Sequence, residues 1–350
     1  MKGNSAGLMT KDTARDARRV GARVALCVLL SGALLLFVCM LAGCKSATST
    51  KQARNGARQN KDAKMMDGEG APAQSRVIAT LEDASINESS GLVASRRNPD
   101  LFWTHNDSGD DPLIYAFDRR GRRRGVWRVE GAQARDWEDI AIGPGPKSGQ
   151  PYLYIGDIGD NSSSRREIIV YRVPEPLIEN DDAASSRKNP RSTLTAEVIR
   201  LQYPDGPHNA EALMTHPLTG DIYIATKTRA DSTVIYKLSS PASTTNVNML
   251  ARVGTIVIPS PFGAMITGGD ISPDGKRAVL CDYLGAYELR LAEDATTSFD
   301  VIWTQPVVAI SLGLRQQGEA VCYRLDGKAL LATSEGRNAP VVEVELRSTE

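Results

Sequence analysis

The sequence predicts an all-β protein built as a β-propeller, most simply of five blades. Short segments in which an acidic residue precedes an apolar run recur along the chain, mostly 50 to 60 residues apart. Repeats of this length with strand patterning are typical of propellers, in which each repeat folds into one small sheet around a common axis. The five segments begin at Glu88, Glu138, Glu211, Asp270 and Glu319.

Each repeat is predicted to form an inner strand, a hairpin turn and two further strands. The turns carry the residues that hairpins favour, as in Pro273-Asp-Gly275 and Asp326-Gly327. The strands that follow are rich in β-branched and aromatic residues. The predicted inner strands are residues 89–95, 139–143, 212–216, 271–273 and 320–323.

The two ends of the repeat array predict how the ring closes. Residues 76–81 form a spare strand before the first blade, and no outer strand follows the last blade. We expect the N-terminal strand to fill that vacancy, because closure removes the exposed edges of an open array. The other four blades are followed by predicted outer strands at residues 126–129, 194–201, 249–258 and 301–310.

Six blades are the alternative, because the interval between Glu138 and Glu211 is longer than the others and could hide a degenerate blade. Within it, residues 179–191 are polar, follow Pro176 and contain Pro190, which is typical of a surface loop. An insertion in the second repeat is therefore the simpler explanation.

The first 43 residues have the pattern of a bacterial lipoprotein signal peptide. A basic region precedes an uncharged apolar stretch at residues 24–41, and Leu41-Ala-Gly-Cys44 then matches a lipobox. We therefore expect a lipid anchor on Cys44, with a retained transmembrane helix as the alternative. This pattern places the protein in the bacterial cell envelope. Because Lys45 rather than Asp follows the cysteine, it indicates the outer membrane in a cell with two membranes.

The rest of the chain divides into a tether and one domain. Residues 44–75 are basic and have too few apolar residues to fold, so we expect a disordered tether that can lie against anionic lipid. Residues 76–350 are the propeller domain, whose 37 acidic and 30 basic residues argue against a nucleic-acid partner. Its two cysteines, Cys281 and Cys322, are either buried free thiols or a disulfide.

A propeller brings the starts of its inner strands and the ends of its second strands to one face. We therefore expect acidic residues to meet around one central mouth, where oxygen ligands favour Ca²⁺ over zinc. The predicted metal ligands are Glu88, Glu138, Asp157, Glu211, Asp270 and Glu319, and the predicted ligand-binding residues are Asn106, Asp107, Lys227 and His208. Two alternatives stay open. Each carboxylate could accept hydrogen bonds from the backbone of the neighbouring blade, or Lys227 could replace the metal as the counter-charge.

The segment Asp136-Trp-Glu-Asp139 is the densest acidic cluster. Asp136 and Glu138 share one face of a strand, so they could form an acid/base pair or a metal clamp. We predict Glu138, Asp136 and His105 as the catalytic residues if the protein is an enzyme. Trp137 and Trp103 could stack on a ligand, although packing between blades is the commoner role. No nucleophile or phosphate-loop motif occurs.

Several blocks resemble those of uncharacterised bacterial propeller lipoproteins. The blocks are Glu88-Ser-Ser-Gly-Leu, Thr104-His-Asn-Asp-Ser-Gly-Asp110, Asp136-Trp-Glu-Asp-Ile-Ala141, Gly156-Asp-Ile-Gly-Asp-Asn161 and Ala210-Glu-Ala-Leu213. More distantly, the chain is similar to esterase-like phytase propellers and to the gluconolactonase and paraoxonase class. That likeness implies a central catalytic Ca²⁺, with positions carried over to Glu88, Asn106, Glu138, Glu211 and Asp270. The chain departs from those families in two ways. They have six blades, and a phytase needs several cations to bind phosphates, whereas this mouth offers Lys227, with Arg135 and Arg337 as further candidates.

Two functional hypotheses follow. The first is a membrane-anchored, monomeric lipoprotein that binds a small molecule, a glycan or a protein at an acidic mouth. The alternative is a Ca²⁺-dependent hydrolase of an ester or phosphoester, in which the metal polarises the substrate and activates water.

Overall fold

The computed structural model describes residues 74–292 and 298–346 of the chain. These residues form β-strands together with two short 3-10 helices, Asn180–Ala184 and Phe299–Thr304. In chain order the strands are β1 (Ser75–Thr80), β2 (Ser89–Ala94), β3 (Leu101–Asn106), β4 (Leu113–Asp118), β5 (Arg123–Arg128), β6 (Trp137–Pro144), β7 (Pro151–Asp157), β8 (Ile168–Pro174), β9 (Arg191–Ser192), β10 (Glu197–Gln202), β11 (Ala210–Thr215), β12 (Ile222–Thr226), β13 (Ser232–Leu238), β14 (Asn248–Met249), β15 (Ala251–Val257), β16 (Gly268–Ile271), β17 (Arg277–Cys281), β18 (Gly285–Arg290), β19 (Val308–Ser311), β20 (Gly318–Tyr323), β21 (Ala329–Ser334) and β22 (Pro340–Glu345).

The strands form five sheets, which confirms the prediction of an all-β, five-bladed propeller. From the inside outward, the sheets are β2-β3-β4-β5-β9, β6-β7-β8-β10-β14, β11-β12-β13-β15, β16-β17-β18-β19 and β20-β21-β22-β1. We number these blades 1 to 5. Each inner strand contacts the inner strand of the next blade, and β20 contacts β2, so the inner strands surround one axis.

Blade 5 is completed by the N-terminal strand, as the sequence predicts. Strand β1 runs antiparallel to β22, with Ser75 opposite Val344 and Thr80 opposite Pro340. Leu81 follows this strand and is fully buried, whereas Val77 is 60% exposed. The closure therefore depends on backbone pairing, on Leu81 and on the partly buried Ile78 and Ala79, and Val77 adds little to it.

The long interval between Glu138 and Glu211 holds an insertion and no sixth blade. Its 3-10 helix, Asn180–Ala184, contacts β5, and β9 then pairs parallel to β5 with Arg191 opposite Trp127. The insertion thus extends the outer edge of blade 1. Strand β14 joins the edge of blade 2 in the same way, with Asn248 opposite Leu201.

Blade 4 differs from the prediction in two places. Its inner strand is β16 at Gly268–Ile271, so the predicted strand at residues 271–273 begins where the observed one ends. The first part of the predicted outer strand 301–310 is instead the 3-10 helix Phe299–Thr304, and β19 follows it. The helix forms because Phe299, Ile302 and Trp303 all pack into the apolar layer between blades 3 and 4, a spacing that a helical turn satisfies.

Apolar layers between neighbouring blades form the core. Trp103 and Trp137 lie in the layer between blades 1 and 2 and are almost fully buried, so both pack in the core and neither faces a ligand. Cys281 and Cys322 are buried free thiols.

Candidate metal and ligand site at the mouth

Three glutamates occupy equivalent positions at the start of inner strands. In blade 2, Trp137 pairs with Asp157 and Asp139 pairs with Gly156, which leaves Glu138 as the extra residue of a β-bulge. Glu211 in blade 3 and Glu319 in blade 5 are skipped in the same way. A bulge re-aims its side chain locally, so the same irregularity in three blades presents three carboxylates to the axis. We call this opening the mouth, defined by Asp107, Asp136, Glu138, Glu211, Lys227 and Glu319.

Blade 1 has no glutamate at the bulged position. Its bulge spans the residues between Ser89 and Leu92, and the Ser90 hydroxyl donates to the backbone oxygen of Glu138 at 2.5 Å. Glu88 precedes the strand and forms an isolated backbone bridge with Glu335. Glu88 therefore lies at the rim of the mouth.

The structure does not bring Asp270 to the mouth. Blade 4 lacks the bulge, so Asp270 pairs with Val279, two residue pairs beyond the first pair of the strand, Gly268 with Cys281. Its carboxylate accepts hydrogen bonds from the N–H groups of Ile271 and Tyr323, each at 2.8 Å. Asp270 thus links blade 4 to blade 5, as the alternative hydrogen-bonded interpretation describes.

Asp139 has a similar linking role that the sequence analysis did not assign. Its buried carboxylate accepts hydrogen bonds from Ile140 at 2.8 Å, from Leu213 at 2.9 Å and from Gly269 at 3.2 Å. These donors belong to blades 2, 3 and 4, so one carboxylate joins three inner strands. The residue beside the bulged Glu138 therefore stabilises the ring, while Glu138 itself faces the axis.

Asp107, Asp136 and Glu138 converge on one point of the mouth. Each offers a carboxylate oxygen, and these oxygens all lie within 4.8 Å of one another. Gly159 makes room for them, because a Cβ atom there would collide with Oε1 of Glu138 and lie 2.6 Å from Oδ2 of Asp136. The three carboxylates form a group that can hold a metal ion.

The electrostatics of this group favour a bound cation. Glu138 is only 4% exposed, and within the described residues no donor hydrogen-bonds to its carboxylate. Burial raises the pKa of Glu138 well above its ordinary value, and the negative charges of Glu211, Asp107 and Asp136 raise it further. Burial, followed by the charge of Asp107, also raises the pKa of Asp136. A divalent ion would offset both the burial of these carboxylates and their mutual repulsion, because it neutralises their charges and coordinates their oxygens.

The opposite part of the mouth contains its own counter-charge. The ammonium of Lys227 forms a buried ion pair with Glu211, and its Nζ lies 4.9 Å from the ring centroid of Tyr283. Burial alone would lower the pKa of Lys227, but Glu211 and Glu319 together raise it above its ordinary value. Burial raises the pKa of Glu319 to about 8, against the opposing effect of Lys227. The mouth is thus divided into a group of three carboxylates that has no ion-pair partner among the described residues and a lysine-centred group.

His105 is placed away from the opening. It is fully buried, its Nδ1–H donates to the backbone oxygen of Asn106 at 2.8 Å, and its ring packs edge-on against Trp137. Burial lowers the pKa of this imidazole. The structure therefore offers no contact between His105 and a ligand in the mouth, because the alternation of β3 turns its side chain into the layer between blades.

The Asn106 carboxamide is fully used in holding the rim loop. Its Oδ1 accepts from the N–H groups of Asn87 at 3.1 Å and Glu88 at 3.2 Å. Its Nδ2 donates to the backbone oxygen of Ser85 at 2.8 Å and to Asp110 at 2.6 Å. Asn106 thus positions the residues around Asp107.

Asp157 and His208 also have partners outside the mouth. Asp157 forms a buried ion pair with Arg165 at 2.8 Å, which gives its charge a local partner. His208 lies beside Asp205 and the Tyr236 hydroxyl, each at 2.9 Å, in a more exposed cluster. Neither residue belongs to the converging carboxylates.

Sequence reasoning placed Glu335 at the mouth but missed three residues of this region, namely Gly159, Arg165 and Tyr283. Gly159 is the second glycine of Gly156-Asp-Ile-Gly-Asp-Asn161, and a glycine so close to an acidic cluster could have indicated a tight approach of the backbone to it. Glu335 ends a second-strand segment, and burial raises its pKa to about 7, with Asp107 and Glu88 adding to the shift.

No model of a known protein family matches the chain, and no curated protein matches it. In the described parts of the chain, no helix is long and apolar enough to cross a membrane. The predicted signal peptide, the lipid anchor at Cys44 and the tether up to residue 73 lie outside the described residues, whereas Ser75, the last residue of the predicted tether, belongs to β1. The fold and the site together define a five-bladed propeller with an acidic central mouth.

Proposed function

We propose that the protein binds a ligand at the mouth through a Ca²⁺ ion held by Asp107, Asp136 and Glu138. The observation that carries this proposal is the carboxylate of Glu138, which is buried, has no donor in the described residues and faces two further carboxylates. Hard oxygen ligands without thiolate or accessible imidazole suit Ca²⁺.

The ligand itself would complete the coordination of this ion. Calcium takes about six to eight oxygen ligands, so three protein carboxylates leave positions for water and for hydroxyl or carboxyl oxygens. Lys227 and Tyr283 lie across the mouth and supply a hydrogen-bond donor and an aromatic face. An oxygen-rich ligand such as a glycan or an acidic small molecule fits this combination.

A Ca²⁺-dependent hydrolase is the second candidate, and Glu319 favours it. With a pKa of about 8, this carboxyl group is mostly protonated at neutral pH and can donate a proton to a leaving group. Glu319 then takes the role that the sequence analysis gave to His105. Asp136 and Glu138 would then be ligands of the ion, which would lower the pKa of the attacking water.

The cellular context of the proposal rests on the sequence alone. The lipobox at residues 41–44 supports an envelope lipoprotein attached to the membrane through Cys44. Cys44→Ser should release the protein from membranes or block its processing. Unchanged membrane association of an uncleaved chain would instead indicate a retained helix.

Calorimetric titration of the full chain with Ca²⁺ tests the proposed site. Glu138→Gln should weaken Ca²⁺ binding about tenfold or more, whereas Glu167→Gln, which changes an exposed glutamate, should leave it unchanged. Equal affinities for the two variants, or no binding by the unaltered protein, would overturn the calcium site. A screen of ester and phosphoester substrates with and without Ca²⁺ separates the two candidate functions.

A further inference from the structure

The face opposite to the mouth, which we call the back face, contains a cleft of about 660 Å³. The inner strands of blades 1 and 2 end there. The cleft is lined by Arg96 and Arg97 of the β2–β3 turn and by Lys147 and its neighbours in the β6–β7 turn. This volume lies within the range of small-molecule sites, about 300–1,000 Å³. The cleft lies at the far end of β2 and β6 from the carboxylate group of the mouth.

Glu175 fixes the two arginines in place from the neighbouring blade. Its buried carboxylate accepts the N–H groups of Arg96 at 3.2 Å and Arg97 at 3.1 Å. It also accepts the Ser95 hydroxyl and the indole N–H of Trp103, the latter at 2.9 Å. The backbone that carries the arginines is therefore held rigidly, and the carboxylate oxygens of Glu175 receive their hydrogen bonds from neutral donors.

The three cationic side chains of the cleft keep their charges free. Within residues 74–292 and 298–346, none of them forms a salt bridge, although Arg97 donates one hydrogen bond to the backbone oxygen of Glu175 at 2.9 Å. Arg96 is largely withdrawn from solvent and is close enough to Asp270 to interact with its charge. That buried acid has a pKa of about 7, so its charge offsets Arg96 only in part at neutral pH.

We propose that this cleft binds the phosphate group of an anionic ligand. Three cations, offset only by Glu175 and in part by Asp270, leave an excess positive charge that suits a phosphate dianion. The planar guanidinium groups match phosphate oxygens in pairs, and the Ser148 side chain in the same cleft adds a hydroxyl donor. The site is separate from the mouth, so its binding does not depend on Ca²⁺.

Calorimetric titration of the full chain with inorganic phosphate, in the presence of a chelator, tests the proposal. Arg96→Gln combined with Lys147→Gln should weaken phosphate binding about tenfold or more, because charge-assisted hydrogen bonds are lost. The matched control is Lys276→Gln with Lys328→Gln. It removes the same charge from exposed back-face turns of blades 4 and 5 and should leave binding unchanged. Equal weakening in both variants, or no phosphate binding by the unaltered protein, would overturn the site.

Vesicle binding distinguishes a soluble phosphate from a lipid headgroup. The chain before the domain is the same in every variant, so its contribution to binding on phosphatidylglycerol vesicles cancels in the comparison. If the ligand is a headgroup, the Arg96 and Lys147 variant binds these vesicles more weakly than the Lys276 and Lys328 control. If phosphate binding is lost while vesicle binding is equal, the ligand is a soluble phosphorylated molecule.

Discussion

Gly159 and Glu138 are matched in space, because any side chain at position 159 would occupy the volume taken by the carboxylate of Glu138. Glu138 is the second residue of β6, whereas Gly159 lies in the loop that follows β7. This close fit indicates that the loop containing Gly159 helps to position the carboxylates of Glu138 and Asp136.

Gly159→Ala should therefore impair the metal site directly. The added methyl group displaces Glu138 and Asp136, so we expect Ca²⁺ affinity to fall about 10–100-fold, as supporting residues around metal sites commonly show. Gly149→Ala is the control, since a Cβ atom there meets open space but the positive φ of 75° costs about 1 kcal/mol of stability. The hypothesis fails if both variants bind Ca²⁺ as the unaltered protein does.

The stability of the metal-free protein should fall as the pH rises. Glu319 and Glu335 have folded-state pKa values of about 8 and about 7, above their ordinary value of 4.5, so the folded protein holds more protons than the unfolded chain between these limits. Stability is then highest near pH 5 and is lost progressively up to about pH 8. Melting temperatures measured in the presence of a chelator between pH 5 and pH 8 check this trend, and a melting temperature that does not fall over this range would contradict it.

Calcium should reverse that trend, since it binds the ionised carboxylates and stabilises the folded state by mass action. We expect Ca²⁺ to raise the melting temperature more at pH 8 than at pH 5. Replacing Glu138 and Glu319 by Gln should stabilise the metal-free protein at pH 8 and remove most of the Ca²⁺ effect. Melting curves that are the same with Ca²⁺ and with chelator at both pH values would contradict a calcium site at the mouth.

Lys227→Met should destabilise the domain strongly. It leaves Glu211 buried without a counter-charge, and breaking a buried pair in this way costs about 3–5 kcal/mol. Adding Glu211→Gln to the same protein should restore much of the loss. Chemical denaturation of the two variants checks the coupling. An identical free energy of unfolding for the single and double variants would show that the pair is not coupled.

Truncation should reveal the importance of strand β1. Deleting residues 45–70 should leave the melting temperature unchanged, because β1 is retained. Deleting residues 45–82 should lower it markedly, because the edge of β22 becomes exposed and the contacts of Leu81 are lost. Equal melting temperatures for the two deletions would mean that closure does not stabilise the ring.

The repeats could be predicted from the sequence because each one pairs an acidic residue with a strand and a turn. The same pattern correctly brought Glu138, Glu211 and Glu319 to equivalent positions. It failed for Asp270, because a bulge adds one residue to a strand without changing its composition. A strand without the bulge has the same sequence pattern, but its acidic residue lies further along the strand from the mouth.

His105 and Gly159 show a second limit of the sequence. The face to which His105 points depends on the register of β3 against its neighbours, and that register is a tertiary property. Gly159 matters because the loop after β7 approaches the start of β6, a tertiary contact that no local pattern records.

The strand that closes the ring also fixes the face from which the chain enters the propeller. Strand β1 begins at Ser75, opposite Val344 near the end of β22, so the chain enters the propeller from its back face. The carboxylates around Glu138 lie at the opposite ends of the inner strands, so the chain enters the domain at the face that holds the Arg96 cleft and leaves the proposed calcium site at the other face.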